Sequence, residues 1–223
     1  NNHTLVLIDG VRVNRAGGDF DFADFAVNNI DRIEVVKGPG SALYGSDAIG
    51  AVIQIFTKKG KGPPTVNLSV AGGSYQTFEE NLSLSAGTEG GGYSVGVSKT
   101  DSKGFLPINN NYSSLGVSGS LQQKLYDRVD LSLTGNHTDS EFHFPTEFGG
   151  DRLQARLDPR QFRRTKRTTL GADLKTPIFE WWTNRLVLGV NQEERFNRDP
   201  LDVGVDTRDS QSMNLEGRRS VDY

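Results

Sequence analysis

Ile30-Asp31-Arg32-Ile33-Glu34-Val35-Val36-Lys37-Gly38-Pro39-Gly40-Ser41-Ala42-Leu43-Tyr44-Gly45-Ser46-Asp47-Ala48-Ile49-Gly50-Ala51-Val52-Ile53-Gln54-Ile55-Phe56-Thr57 reads as a strand, a glycine-marked turn and a second strand. β-branched residues crowd both flanks, as strands favour. Gly38-Pro39-Gly40 breaks the first flank sharply, because proline fixes its own φ and pushes its predecessor out of the helical region. The glycines do not build a phosphate cradle. Gly45 and Gly50 have the P-loop spacing, but Ala51-Val52 stands where Lys-Ser/Thr is needed. The dinucleotide fingerprint fails at Leu43.

Working outward, the preceding residues give a strand at Thr4–Ile8, an Asp9-Gly10 turn and a short strand at Val11–Val13. An irregular stretch, Asn14–Phe25, follows. Lys58-Lys59-Gly60-Lys61-Gly62-Pro63-Pro64 is a charged, breaker-rich linker. Residues 1–62 are therefore expected to form one small module, and 63–223 another.

The second part alternates. Val66, Leu68 and Val70 are followed by Leu82, Leu84 and Ala86, then Tyr93, Val95 and Val97, and the pattern persists to Met213 and Leu215. Ser, Asn, Thr, Gly, Asp and Arg fill the intervening positions. A period of two is that of a strand with unlike faces. The segments predict eight strands, several of ten residues or more, against about 5–6 in ordinary globular strands. Short connections at Glu89–Gly92, Tyr126-Asp127 and Pro177–Thr183 alternate with long polar ones at Lys103–Asn111, Glu141–Phe162 and Asn197–Thr207. Gly72–Gln76, on the long side, is tight. Aromatic residues gather near strand ends: Tyr93, Tyr126, Trp181 and Trp182 on one side, Tyr75, Phe105, Tyr112 and Phe142 on the other. Long strands, uneven loops and two aromatic girdles point to a transmembrane antiparallel barrel. A soluble β-sandwich is the rival.

Composition adds bounds. The chain has 223 residues, three His, no Cys and a net charge of −3. This charge gives no reason to expect nucleic acid as a partner. No apolar run approaches the ~20 residues of a membrane helix, a test that barrel strands evade. The chain begins at Asn1 without a leader and ends at Tyr223 within a strand pattern, so a piece of a longer chain is expected. Eight strands would close only a narrow barrel with no room for residues 1–62, so the parent barrel is expected to be larger.

Leu5-Val6-Leu7-Ile8-Asp9-Gly10-Val11-Arg12, Asp31–Gly38, Leu43-Tyr44-Gly45 and Ala48–Thr57 resemble the plug of the TonB-dependent outer-membrane receptors. The departures are mild: Lys37 where Arg is frequent, Ala51 for Gly and Gln54 for Asn. Within the family, the Asn-His-Thr-Leu entry and Gly45-Ser46-Asp47-Ala48-Ile49 look most like cobalamin receptors. The resemblance implies an all-β or α+β half-plug (1–62) inside an incomplete barrel (63–223) of about twenty-two strands. It also implies the Gram-negative outer membrane, lipopolysaccharide as a neighbour, and active import of a scarce, bulky small-molecule ligand. Cobalamin leads, with a ferric siderophore or haem as alternatives. The driving partner would be TonB with ExbB and ExbD, reached through a segment outside this chain. A passive porin would lack the plug, and a soluble binding or adhesion protein would need no detergent. No nucleophile–base set suggests an enzyme.

By the same resemblance, the loop Asn14, Arg15, Gly17, Gly18 and Asp19 lies at the extracellular apex and contacts ligand. Phe20, Phe22 and Phe25 pack inward between solvated acids. Arg32, Glu34 and Lys37 are expected either to lock the plug by pairing with lumen charges such as Arg185 and Glu216 or, equally, to pair within the plug. Arg160, Arg163, Arg164, Lys166 and Arg167 open the sixth barrel strand, facing lipid or lumen. No cofactor is expected, apart from Ca2+ on the crowded carboxylates Asp199, Asp202, Asp206 and Asp209.

Overall fold

A computed structural model describes residues 4–14, 20–22, 29–38, 48–126, 128–145, 159–179, 181–198 and 206–222, the last span as backbone only. Twelve strands fall into two sheets among these residues. Strands β1 (Thr4–Ile8), β2 (Val11–Arg12), β3 (Ile30–Lys37) and β4 (Ala51–Thr57) form a small mixed sheet in the order β2-β1-β4-β3. Strands β5 (Thr65–Gly73), β6 (Thr77–Thr88), β7 (Gly91–Ser102), β8 (Tyr112–Leu125), β9 (Val129–His143), β10 (Phe162–Phe179), β11 (Trp182–Arg198) and β12 (Asp206–Asp222) form an antiparallel meander.

The small sheet takes its shape from β1. Leu5-Val6-Leu7-Ile8 is apolar throughout because β1 lies parallel to β4 and is covered on both faces. Val6 and Ile8 join Val13, Phe20 and Ile55 on one side, while Leu5 and Leu7 join Ala48 and Val52 on the other. Asp9 (φ 48°) and Gly10 (φ 87°) turn β1 into β2, the positive φ pair that an Asp-Gly hairpin supplies. The second strand ends at Arg12, one residue earlier than its periodicity predicts. Val13 N still donates to Val6 O at 3.1 Å, and the Asn14 side chain extends the pairing: its Oδ1 accepts from Val6 N at 2.6 Å and its Nδ2 donates to Thr4 O at 2.9 Å. Strand β3 is the sheet edge, with Ile33, Val35 and Val36 exposed.

The meander keeps β5 and β12 as free edges and is therefore not closed on itself. Its burial is the reverse of a water-soluble sheet. On β10, Leu170 is 54% exposed and Thr169 only 3%; on β11, Leu188 is 49% exposed and Glu193 only 1%. Ser94, Ser98, Ser118, Ser120, Thr138 and Ser140 are buried, while Val95, Val97, Leu115, Val117 and Leu133 are exposed. At about 25 cal/mol per Å2, such a continuous apolar face would be costly in water. Hydrocarbon removes that cost, so polar residues line the lumen and apolar ones meet lipid. No helix among the described residues is long and apolar enough to cross a membrane, which bears on helices alone.

Both girdles are present. Phe179, Trp181 and Trp182 stack at the β10–β11 turn, with centroids 5.5–6.2 Å apart. Tyr75 meets Phe105 edge-on at the opposite rim. The tight β5–β6 connection is a single 3-10 turn, Ser74–Gln76, with Tyr75 and Gln76 at positive φ.

Candidate functional site at the plug seam

The small sheet rests on the inner face of β10 and β11. Their register sets the lumen-facing residues in cross-strand rows: Arg167 with Glu193, Thr169 with Asn191, Gly171 with Gly189, and Asp173 with Val187. Each row but the last meets the plug differently, and the last is touched by its turn.

Shape governs the third row. Val11 of β2 presses onto Gly171 and Gly189, so a Cβ at Gly171 would stand 2.9 Å from Val11 Cγ2. At Gly189 a Cβ would overlap the same isopropyl group. Two facing glycines thus form a notch that admits one valine. Beside it, Gly10 lies against Val187, an apolar lumen residue buried by this contact.

Polar contacts govern the upper rows. Thr169 Oγ1 donates to Asn191 Oδ1 at 2.9 Å, which leaves Asn191 Nδ2 to donate to Val13 O at 3.4 Å. Arg167 Nε and Nη2 donate to Glu193 Oε2 at 3.0 and 2.6 Å, with both side chains buried. The Arg167 guanidinium also lies 4.4 Å from the Phe20 ring centroid, a cation–π distance. Arg195 stands 3.6 Å from Glu193 and 3.9 Å from Asp21. Buried charge of this kind is tolerated only when paired, so the cluster is sensitive to losing one member.

The linker has its own seat. Ser94 and Ser120 donate to Lys58 O at 2.7 and 3.1 Å. Gly87 and Gly92, paired across β6 and β7, lie so close to the Gly60 backbone that a Cβ on any of the three would overlap it or the wall. Between hairpin and wall lies a polar cavity of about 40 Å3, lined in part by Asp9, Lys59, Asp173 and Arg185. Asp9 accepts from Thr57 N at 3.0 Å and Thr57 Oγ1 at 2.7 Å, tying the ends of β1 and β4 together. Burial pushes the Asp9 carboxyl above its ordinary value, with the Thr57 bonds opposing.

The sequence-predicted residues are distributed as follows. Asn14 is buried and bonded to β1, while Arg15, Gly17, Gly18 and Asp19 lie outside the described residues. Arg32 and Glu34 pair within the plug, one of the two expected arrangements. Arg32 donates to Glu34 at 2.7 Å and Asp31 at 3.2 Å on the exposed edge strand, and stacks 3.9 Å over Phe56. Arg185 is taken by Asp173 on the neighbouring strand, with its closest contact at 2.7 Å, and the side chain of Glu216 lies outside the described residues. Short-range pairing wins because exposed ions gain little by reaching across a gap. Phe20 is buried, whereas Phe22 is half exposed and meets it edge-on at 4.8 Å; Phe25 lies outside the described residues. The basic run splits by alternation: Arg163 and Arg167 face inward, to Asn197 and Glu193, while Arg164 and Lys166 are exposed on the outer wall. Asp206 and Asp209 fall on β12 rather than in a loop, and Asp199 and Asp202 lie outside the described residues. No cluster of three or more potential metal ligands occurs among the described residues.

Sequence reasoning missed Val11, Gly171, Gly189, Asn191 and Glu193 as seam residues. The period of two places the last four on the polar face, but nothing local says which of them a plug would touch.

Comparison with known proteins fits this geometry. Residues 1–52 match the TonB-dependent Receptor Plug Domain. The Vitamin B12 transporter BtuB of Vibrio vulnificus is 35% identical over 146 residues, 62% of this chain and 24% of the relative. That of Photobacterium profundum is 30% identical over 162 residues, 69% of this chain and 27% of the relative. The chain thus spans about a quarter of the length of the curated relatives it matches. The crystal structure of the ferric yersiniabactin uptake receptor FyuA from Yersinia pestis shares the fold, with a TM-score of 0.71 at 16% identity over 87% of this chain and 32% of that one. With a plug seated on an inverted sheet and these relatives, the chain belongs to the TonB-dependent outer-membrane receptors and resembles their vitamin B12 branch.

Proposed function

We propose that the receptor containing this chain imports vitamin B12 across the outer membrane by active transport. The observation carrying the transport reading is the plug seat: individually small contacts hold a folded module against a polar lumen wall. A passive porin has no use for such a seat, and a soluble adhesion protein has no use for an apolar exterior. The choice of vitamin B12 rests on the two relatives of that name. TonB, energised with ExbB and ExbD, is the partner that would displace the plug. Ligand would rest on the loop Asn14–Asp19, whose first residue is pinned to β1.

A second reading, a ferric siderophore, is favoured by the fold likeness to FyuA. Uptake of radiolabelled cobalamin and of ferric siderophores in a strain lacking the parent gene separates the two. Loss of cobalamin uptake alone supports the first reading, and unimpaired cobalamin uptake, with no redundant receptor present, overturns it. Replacing Arg15 and Asp19 with Ala is expected to weaken ligand binding several-fold; an unchanged dissociation constant removes the loop from the site.

A further inference from the structure

At the rim that carries the long connections, two of those connections are fastened to each other. The base of the β7–β8 connection is held by backbone bonds, from Lys103 N to Tyr75 O at 3.0 Å and from His143 N to Asn111 O at 2.8 Å. Its tip is held through Asn109, which takes φ 44°, a left-handed conformation that asparagine tolerates. Asn109 Nδ2 donates to Phe144 O at 2.9 Å and to Gln161 O at 2.8 Å, just after β9 and just before β10. Asn109 Oδ1 faces His143 Nδ1 at 2.9 Å. The second ring nitrogen, His143 Nε2, faces Glu141 Oε1 at 2.8 Å.

This arrangement sets a requirement on the ring. Both amide hydrogens of Asn109 go to carbonyls, so its Oδ1 is fixed as an acceptor. The Glu141 carboxylate is an acceptor as well. A neutral imidazole has one N–H and serves one of the two, whereas an imidazolium has two and serves both. The single N–H of a neutral ring goes to the carboxylate, the stronger acceptor. Bare Nδ1 then meets Asn109 Oδ1 lone pair to lone pair. Turning the amide over offers no relief, because both bonds to the carbonyls would be lost.

We propose that His143 is a proton-operated clasp, holding the tip of the β7–β8 connection when the ring is charged and releasing it when the ring is neutral. Glu141 is the charge that faces the ring from its own strand. From β10, Phe162 stacks on the ring at 5.4 Å, and Arg164, opposite Glu141 in register, is bonded to Asp139 at 2.7 Å. From β8, Ser113 lies opposite Glu141 and accepts from Lys99 Nζ at 2.7 Å. Arg160 adjoins Gln161 in the chain. Because the fastened form holds one more proton, the clasp is complete on the acid side and opens as pH rises. Release is confined to the tip, since the two bonds at the base join backbone to backbone and carry no titratable group.

The test is continuous-wave electron paramagnetic resonance of the full-length receptor in bilayers, with one nitroxide at Ile108 in the tip. Spectra at about pH 5 and about pH 8 bracket the range in which histidine changes charge. The ratio of mobile to immobile components is expected to rise about tenfold between them, the factor carried by about 1.4 kcal/mol and within reach of one hydrogen bond. His143→Gln, which does not titrate, should give one ratio at both values, and Asn109→Ala should be mobile at both. His137→Gln, at the histidine paired with Thr168, should keep the wild-type response. Equal ratios in the wild type at the two values overturn the proposal. A response that survives in His143→Gln or Asn109→Ala, or that is lost in His137→Gln, overturns it too.

Discussion

Replacing Gly189 with Ala adds one methyl group at the point where Val11 enters the wall. Val11 Cγ2 would lie 2.6 Å from the new Cβ and Val11 Cβ 2.9 Å away. Carbon atoms prefer about 3.5–4.0 Å, so the hairpin must withdraw by about 1 Å. Withdrawal stretches the Asn191 Nδ2 to Val13 O contact, already 3.4 Å long. Overpacking of this kind costs about 1–3 kcal/mol, which raises local opening of the hairpin roughly 5- to 160-fold. Hydrogen exchange of residues 5–12 in the full-length receptor reads that opening directly. Val11→Ala removes the two closest methyls and leaves only its Cβ, 2.9 Å away, to be accommodated, so Gly189→Ala with Val11→Ala should exchange more slowly than the sum of the single effects implies. Gly135→Ala, on the outer wall, should leave these amides unchanged. Unaltered exchange in Gly189→Ala, or strict additivity in the double variant, would refute the seat.

Two further outcomes follow from the same interface. Arg167→Met leaves Glu193 buried without its main partner and should cost about 3–5 kcal/mol; adding Glu193→Leu should recover part of it, measured by urea denaturation midpoints, and no recovery would contradict a paired-charge account. The raised carboxyl of Asp9 means that the fold favours its protonated form. Its contribution is then complete below the ordinary carboxylate range and is lost as pH climbs through the raised value. The urea denaturation midpoint should decline over that interval, and Asp9→Asn should flatten the decline. Equal slopes in the two proteins would dismiss Asp9 as the cause.

The outline of the fold was legible because two periodicities are written plainly. Leu5-Val6-Leu7-Ile8 is apolar at every position and became a strand covered on both faces; Leu82, Leu84 and their successors alternate and became an inverted wall. The connection Lys103–Asn111 fell between β7 and β8 as read. The site was less legible. Gly171 and Gly189 are eighteen residues apart, and only the β10–β11 register makes them one notch. Their occupant, Val11, belongs to the other sheet, so the match depends on how two folded units dock. Charge left a choice open in the same way. Arg32 and Glu34 looked available to the wall, yet the nearest opposite charge on their own strand claimed them.

The central claim is that the meander turns its apolar face to hydrocarbon and its polar face to the plug. Single spin labels at Val95, Leu115 and Leu188, against Ser98, Ser118 and Thr169, in the full-length receptor in bilayers test it most directly through collision with oxygen and with a polar nickel chelate. The account expects oxygen, which partitions into lipid, to reach the first three and neither reagent to reach the second three freely. Ready access of the nickel chelate to Val95, Leu115 and Leu188 would contradict it.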